Sequence, residues 1–188
     1  FGAILRTADG GETWQEQTSG LATGPQSVHF IDANTGWAVG DECAVLRTID
    51  GGTTWTAPLP EPDVVLRSAH FTDPPTGWAV SSRGEILQTI NGGDTWRRQS
   101  SGTQIELRAL DFVGPITGWA VGERGSILRS IDGGASWIMA TGRTESLLDV
   151  DFVDESHGWA VGRNGAAIAT TDGGVTWSPI DTKQSTYL

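Results

Sequence analysis

The sequence is poor in the residues that usually announce chemistry. It has one cysteine, Cys43, and three histidines, His29, His70 and His157. One thiol cannot form an internal disulfide, and a zinc site needs several Cys or His ligands at set spacings. Neither metal nor redox chemistry is expected, and no cofactor is implied. Lysine and arginine total 12 against 23 aspartate and glutamate, a net charge of −11. Such a balance repels phosphate backbones and argues against a nucleic-acid partner. No apolar run approaches the roughly 18 residues of a membrane span, and no helical periodicity is found anywhere. There is a single tyrosine, Tyr187, and a single methionine, Met139, so that Phe1 is not a translation start and falls inside a repeat. A mature or excised piece is the expectation.

Tryptophan, by contrast, is abundant, and its placement is regular. A segment Thr7-Ala8-Asp9-Gly10-Gly11-Glu12-Thr13-Trp14 recurs in near copies ending at Trp55, Trp96, Trp137 and Trp177, at intervals of 41, 41, 41 and 40 residues. A second motif, Gly-Trp-Ala-Val, interleaves with it at Trp37, Trp78, Trp119 and Trp159. Together the two series account for all nine tryptophans, leaving none for a ligand platform. A period in the low forties marks an internal repeat whose units are not expected to fold alone.

Within each unit, short apolar segments bounded by Gly, Pro, Asp and Thr read as four strands. In the third complete unit these are 107–112, 118–122, 126–130 and 136–140. Four short antiparallel strands at this period describe a propeller blade. The expected architecture is an all-β propeller of about four and a half blades: a half blade 1–20 with strands 3 and 4 only, blades 21–60, 61–101, 102–142 and 143–182, and a tail 183–188. That is an open arc, part of a larger ring, or a ring completed by another copy or fragment.

The Asp-Gly-Gly segment is expected to be the hairpin between strands 3 and 4. Its Asp accepts hydrogen bonds from nearby backbone N–H groups, and its glycines supply positive φ. The third copy has Asn91 where the others have Asp9, Asp50, Asp132 and Asp172. An amide keeps the acceptor oxygen and loses the charge, which suits a clasp and not a metal ligand or an acid. The box residues Asp9, Trp14, Asp50, Trp55, Asn91, Trp96, Asp132, Trp137, Asp172 and Trp177 are therefore assigned to the scaffold, with the rings placed where blades meet.

The pattern Ser/Thr-x-Asp-x-Gly-x-Thr/Ser-Trp resembles the Asp box, or bacterial neuraminidase repeat. Joined to Gly-Trp-Ala-Val-Gly, as in Thr117 to Trp137, it resembles the repeat of the photosystem II assembly/stability-factor family over essentially the whole chain. The resemblance implies a seven-bladed propeller acting as a non-enzymatic assembly chaperone for a reaction-centre subunit, with an arginine-rich patch. It also implies an extracytoplasmic setting: periplasm, thylakoid lumen or secretion.

In a propeller the Asp boxes lie on one face, and the strand 2–3 turns and blade connections lie on the other, where binding loops are expected. Arg83 and Arg124 occupy that turn, Arg163 stands one position earlier in its unit, and Arg67 and Arg108 enter strand 1 beside the channel. These five are the candidate partner-binding residues, since arginine captures carboxylates bidentately. The match is incomplete: Gln26, Glu42 and Leu148 stand at corresponding positions of other units. The alternative is local pairing with Glu61, Asp63, Glu106, Glu123 and Glu145. Arg6, Arg47 and Arg129 recur at one position of strand 3 and read as structural. His29 and His70 share the residue before the strand 1 phenylalanine and His157 ends a turn; these contexts are read as unrelated and make no ligand spacing, so the three are expected to be structural, and Cys43 is an incidental residue of a strand 2–3 turn.

A sialidase reading needs a channel-lining tyrosine nucleophile, and Tyr187 lies in the tail. Another glycosidase would need two carboxylates; Asp111, Asp149 and Asp151 are the available donors, but Asp111 and Asp151 share one repeat position. The sequence therefore favours a non-enzymatic scaffold for a protein or peptide partner, with a secreted or surface receptor module as the alternative and a glycoside hydrolase as a second.

Overall fold

The computed structural model describes residues 3–17, 24–41, 45–57, 64–140 and 145–181. Cys43, Tyr187, Glu42, Glu61, Asp63 and the tail lie outside them. The described residues form five antiparallel sheets with no α-helix. A two-stranded sheet comes first, β1 (Ile4–Arg6) with β2 (Gln15–Gln17), followed by β3 (Pro25–Phe30), β4 (Gly36–Gly40) and β5 (Val45–Thr48). Three four-stranded blades complete the arc. They are β6 (Leu66–Phe71), β7 (Gly77–Ser81), β8 (Ile86–Thr89) and β9 (Arg97–Gln99); β10 (Leu107–Val113), β11 (Thr117–Gly122), β12 (Ile127–Ser130) and β13 (Ile138–Ala140); and β14 (Leu147–Phe152), β15 (Gly158–Gly162), β16 (Ala167–Thr170) and β17 (Ser178–Pro179). This is a partial β-propeller.

Two details differ from the sequence reading. The sheet of β3 has three strands, its fourth reduced to a single bridge between Arg47 and Thr56. The box tryptophan precedes the outer strand instead of opening it, since β13 starts at Ile138 after Trp137.

The spacing of the two motifs follows from how neighbouring blades meet. Trp37, Trp78 and Trp119 are fully buried on the second strands. Each lies flat on the first-strand phenylalanine of the next blade, Phe71, Phe112 and Phe152, with centroids 3.7, 3.8 and 3.4 Å apart. Each also donates its indole N–H to the first box glycine of that blade, Gly92, Gly133 and Gly173, at 2.8, 3.0 and 2.8 Å. A buried indole N–H without such an acceptor would cost on the order of 1–3 kcal/mol. The same phenylalanine meets its own box tryptophan edge-on, as Phe71 does Trp96 at 5.9 Å. One aromatic stack thus uses both tryptophan series.

The glycine before the buried tryptophan has its own cause. It pairs directly across from the phenylalanine, as Phe71 faces Gly77, and a Cβ on Gly77 would stand 2.4 Å from that ring. Only glycine leaves room for it.

The Asp-box clasp is longer-reaching than the expected one or two residues. Asp50 Oδ1 accepts the N–H of Thr54, four residues on, and the hydroxyl of Thr48, at 2.9 and 2.8 Å. Its Oδ2 accepts the Thr54 hydroxyl at 2.6 Å. The span of four is what the two glycines require, since Gly51 and Gly52 both hold positive φ, 68° and 84°, and the chain turns back before Thr54. Asn91 keeps the backbone bond from Thr95 at 3.0 Å, but its amide now donates to the Thr95 hydroxyl. These carboxylates are held low by the hydrogen bonds of the Thr side chain and N–H four residues on: Asp9, Asp50 and Asp172 fall to about 2 from 3.8, and Asp132 shifts the same way through Ser136.

Burial of the box rings is graded. Trp96 is 8% exposed and Trp14 58%, so the ring at the β1 end does not sit in a closed blade interface. The three strand-3 residues expected to be structural do face the next blade. Guanidinium nitrogens of Arg6, Arg47 and Arg129 stand 3.6, 3.0 and 3.2 Å from the place a Cβ would take on Gly51, Gly92 and Gly173 of the next hairpin, and Gln88, at the same position, donates to the Gly133 carbonyl at 3.1 Å.

Candidate functional site: an arginine-glutamate ladder over four converging bulges

Every complete first strand carries a register shift against its neighbour, between Pro25 and Ser27, Leu66 and Ser68, Leu107 and Ala109, and Leu147 and Asp149. The extra residues are Gln26, Arg67, Arg108 and Leu148. A bulge re-aims its side chain and increases local twist. All four bulge residues line one cavity of about 310 Å³, together with Ser27, Ser68, Ala109 and Asp149. The bulge is pressed against the last residue of the second strand: a Cβ on Gly122 would stand 2.1 Å from the Glu106 carbonyl oxygen.

Over this cavity the arginines are laced by two glutamates. Arg67 Nε binds Glu106 Oε1 at 2.8 Å, and Arg108 Nε lies 3.4 Å from the same oxygen. Arg108 Nη2 binds Glu123 Oε1 at 2.7 Å, and Arg163 Nη2 reaches that oxygen at 3.1 Å. Ser146 donates its hydroxyl to Glu123 Oε2. That bond, with those from Arg108 and the charge of Arg163, holds the Glu123 carboxyl below its usual range. Three guanidinium groups share two carboxylates, and a third carboxylate, Asp149, lines the cavity beneath them. The ladder is partly exposed, with Arg67 and Arg108 side chains 25% and 26% accessible, and its donors remain within reach of an incoming carboxylate.

Arg83 and Arg124 lie further out, both exposed, on the strand 2–3 turns. Arg124 holds φ 56°, ψ 30°, a left-handed conformation that is uncommon outside glycine. In the next blade that conformation belongs to Asn164, φ 57°. The Arg124 N–H is 3.3 Å from the Ser146 hydroxyl, linking the turn to the ladder. The structure thus brings Arg67, Arg108 and Arg163 into one network, with Arg124 joined through its backbone and Arg83 on a separate turn.

The histidines are not in unrelated contexts. His29 and His70 sit at one repeat position on neighbouring first strands and stack at 4.4 Å. His29 Nε2 donates to the Phe71 carbonyl at 3.0 Å, and His70 Nδ1 lies 3.1 Å from Asp111 Oδ1. Burial, then the neighbouring His70, holds His29 below its ordinary value. Asp111 Oδ2 accepts the Phe152 N–H at 2.7 Å. This carboxylate is committed to joining blades, whereas Asp149 lines the cavity and Asp151 is exposed. His157 is apart, paired with Asp154 at 2.9 Å. The described residues contain no group of three or more potential metal ligands, and no helix long and apolar enough to cross a membrane.

Sequence reasoning identified the arginines but not the bulges that aim two of them. The signal was faint: an arginine directly after a leucine at the start of strand 1, as in Leu66-Arg67-Ser68-Ala69 and Leu107-Arg108-Ala109-Leu110.

Blades latched by tryptophan and clasped by Asp boxes define an Asp-box β-propeller. More narrowly, the chain belongs to the photosynthesis system II assembly factor YCF48 family, whose model matches residues 58–139 and 138–187. Solved structures of this fold include YCF48 from Cyanidioschyzon merolae, 22% identical with a TM-score of 0.72, covering 96% of this chain; this chain spans 66% of that one's length. A structure of YCF48 bound to D1 peptide is 19% identical with a TM-score of 0.53, over 85% of this chain and 82% of the other. An ancestral GH74 enzyme shares the fold at 16% identity and a TM-score of 0.72, over 85% of this chain and 24% of that one. No curated protein matches the chain.

Proposed function

We propose that this protein is a non-enzymatic scaffold, like a photosystem II assembly factor, and that it captures an extended peptide of a partner protein on its arginine face. The observation that carries the reading is the convergence of four strand bulges beneath a partly exposed ladder that holds Arg67, Arg108 and Arg163 together. A peptide carboxylate can replace Glu106 or Glu123 on an arginine without new desolvation of the guanidinium, because the exchange keeps the ion pair. The structure of YCF48 bound to D1 peptide supports a peptide as the ligand class. An extracytoplasmic setting accompanies this role.

The GH74 likeness raises a hydrolase reading. Hydrolysis of a glycosidic bond by two carboxylates requires both to be free to face the sugar. Asp111 is bound to His70 and to the Phe152 N–H, and Asp149 Oδ1 accepts the Val150 N–H at 3.0 Å, which leaves Asp151 alone of the three and favours the binding role.

Titration of the chain with the D1 peptide tests the proposal. Saturable binding should weaken at least tenfold in Arg67→Glu/Arg108→Glu, because each substitution reverses a charge in the ladder. Equal affinity for the variant would assign the peptide to another surface. Release of sugar from a xyloglucan substrate would replace the scaffold reading with the enzymatic one.

A further inference from the structure

In each Asp box one side chain stands between the clasping hydroxyl and the acid and takes no part in the clasp. Three successive blades place isoleucine there: Ile49, Ile90 and Ile131, which are 70%, 75% and 58% exposed. The hairpin does not need them, because the same clasp closes around Ala8 and Thr171. A single exposed isoleucine is ordinary, whereas three at one repeat position of adjacent blades form a ridge.

Two exposed turn residues widen the ridge. Gly92 and Gly133 donate their N–H groups to the Pro75 and Ile116 carbonyl oxygens, both at 2.8 Å. Pro75 is thereby set beside the Ile90 hairpin, and Ile116, 53% exposed, beside that of Ile131. In the β14–β17 blade the corresponding residues are Thr171 and Ser156, and the apolar surface stops. The blades of Ile90 and Ile131 pack against a described neighbour on both sides, so the ridge is a feature of the inner arc.

The charge around it is of one sign. The hairpins 7–14, 49–55, 90–96, 131–137 and 171–177 and the strand 1–2 turns 31–35, 72–76, 113–116 and 153–157 contain ten carboxylates and no lysine or arginine. The clasps keep the box acids ionised: the Thr54 hydroxyl and N–H hold Asp50 at about 2, and those of Ser136 lower Asp132. Arg67, Arg108 and Arg163 gather on the opposite face.

We propose that this ridge docks a partner protein segment in which apolar residues are interspersed with lysine or arginine. The apolar side chains cover Ile90, Ile116 and Ile131, and the cations meet the carboxylates on either side, Asp50, Asp73, Asp94 and Asp132. The same rim repels an acidic segment, so the face selects by charge what it holds by apolar contact. It is separate from the arginine ladder and takes the opposite class of peptide.

The test titrates the full chain with a synthetic peptide of repeated Leu-Lys-Lys triplets and with a Ser-Lys-Lys peptide of equal length and charge. The first should bind saturably and one-to-one, at least about tenfold more tightly than the second, and at least about tenfold more weakly to Ile90→Ser/Ile131→Ser. That variant should melt like the parent, because both side chains stand in water. Equal affinity of the two peptides would reduce the face to a diffuse negative field, and unchanged binding by the variant would place the peptide elsewhere; either overturns the proposal. So would a lowered melt of the variant, which would make the isoleucines structural. Binding that strengthens in Arg67→Glu/Arg108→Glu would move the cationic peptide to the other face. Concentration-dependent dimers of the chain alone, abolished by Ile90→Ser/Ile131→Ser, would give the ridge to a second copy instead.

Discussion

The two ends of each blade obey different rules. At the Asp-box end, the same clasp recurs in all five hairpins, with Thr or Ser two residues before the acid and four after it. At the other end no two described turns carry the same charges: Ser82-Arg83, Glu123-Arg124 and Arg163-Asn164 occupy equivalent positions. Repetition at the first end reflects one hairpin geometry closed the same way each time, and three of these hairpins also receive a tryptophan from the preceding blade. Variation at the second lets neighbouring turns complement one another, as Glu123 binds Arg163 one blade on at 3.1 Å.

The largest expected effect is on the repeated side. Trp119→Ala removes a fully buried ring, its stack on Phe152 and its bond to Gly173, and should cost about 3–5 kcal/mol in denaturant unfolding. Trp159, the same motif position but 42% exposed, should cost under about 1 kcal/mol when truncated. Equal losses at the two positions would mean that the tryptophan series stabilises through its own blade and not through the next.

On the variable side, the same size of change should move binding and spare the fold. Arg108→Glu should weaken D1 peptide binding at least tenfold, while unfolding shifts by about 1 kcal/mol or less, because partly exposed ion pairs contribute little. A melt as damaged as that of Trp119→Ala would make the ladder a structural element and end the distinction between the two ends.

Acid provides a sharper comparison within the repeated side. Asp50 and Asp172 have folded values of about 2 against 3.8. A depressed carboxylate contributes stability above its unfolded value and loses it as pH falls through the folded one. The window is therefore from about pH 4 down to 2. Exchange of the Thr54 and Thr176 N–H groups should accelerate relative to intrinsic rates across that window, while that of Thr95, held by Asn91, should not. A parallel response at Thr95 would show that the blades loosen for another reason.

Much of this division was legible in the sequence, and the limits are physical. Periodicity exposes whatever is repeated, so the four-stranded unit, the hairpin role of Asp-Gly-Gly and the neutrality of Asn91 could be read directly. Contacts between blades join residues 55, 55 and 54 apart, as Trp37 meets Gly92. One sequence cannot state such pairings, although the two interleaved tryptophan series hint at them. The bulges at Arg67 and Arg108 left only an extra residue at a strand start. The stacking of His29 on His70 was missed because their shared position before the strand 1 phenylalanine was read as a feature of each unit and not as one that sets the two rings side by side across a blade interface.

The smallest expected effect lies at Arg124, and it decides why that turn differs from its neighbours. A left-handed φ of 56° costs an arginine more than it costs the asparagine at the equivalent position, Asn164, or a glycine. Arg124→Gly should thus leave thermal stability unchanged or raise it by up to about 1 kcal/mol, because relief of strain is set against the greater entropy of glycine in the unfolded chain. Arg124→Asn should gain without that entropic loss. If both variants also weaken peptide binding by a few-fold, strain at this turn is retained for the cation it presents, the exchange of stability for function expected at a binding surface. If neither changes binding, Arg124 belongs to the turn alone and the arginine face contracts to the ladder of Arg67, Arg108 and Arg163.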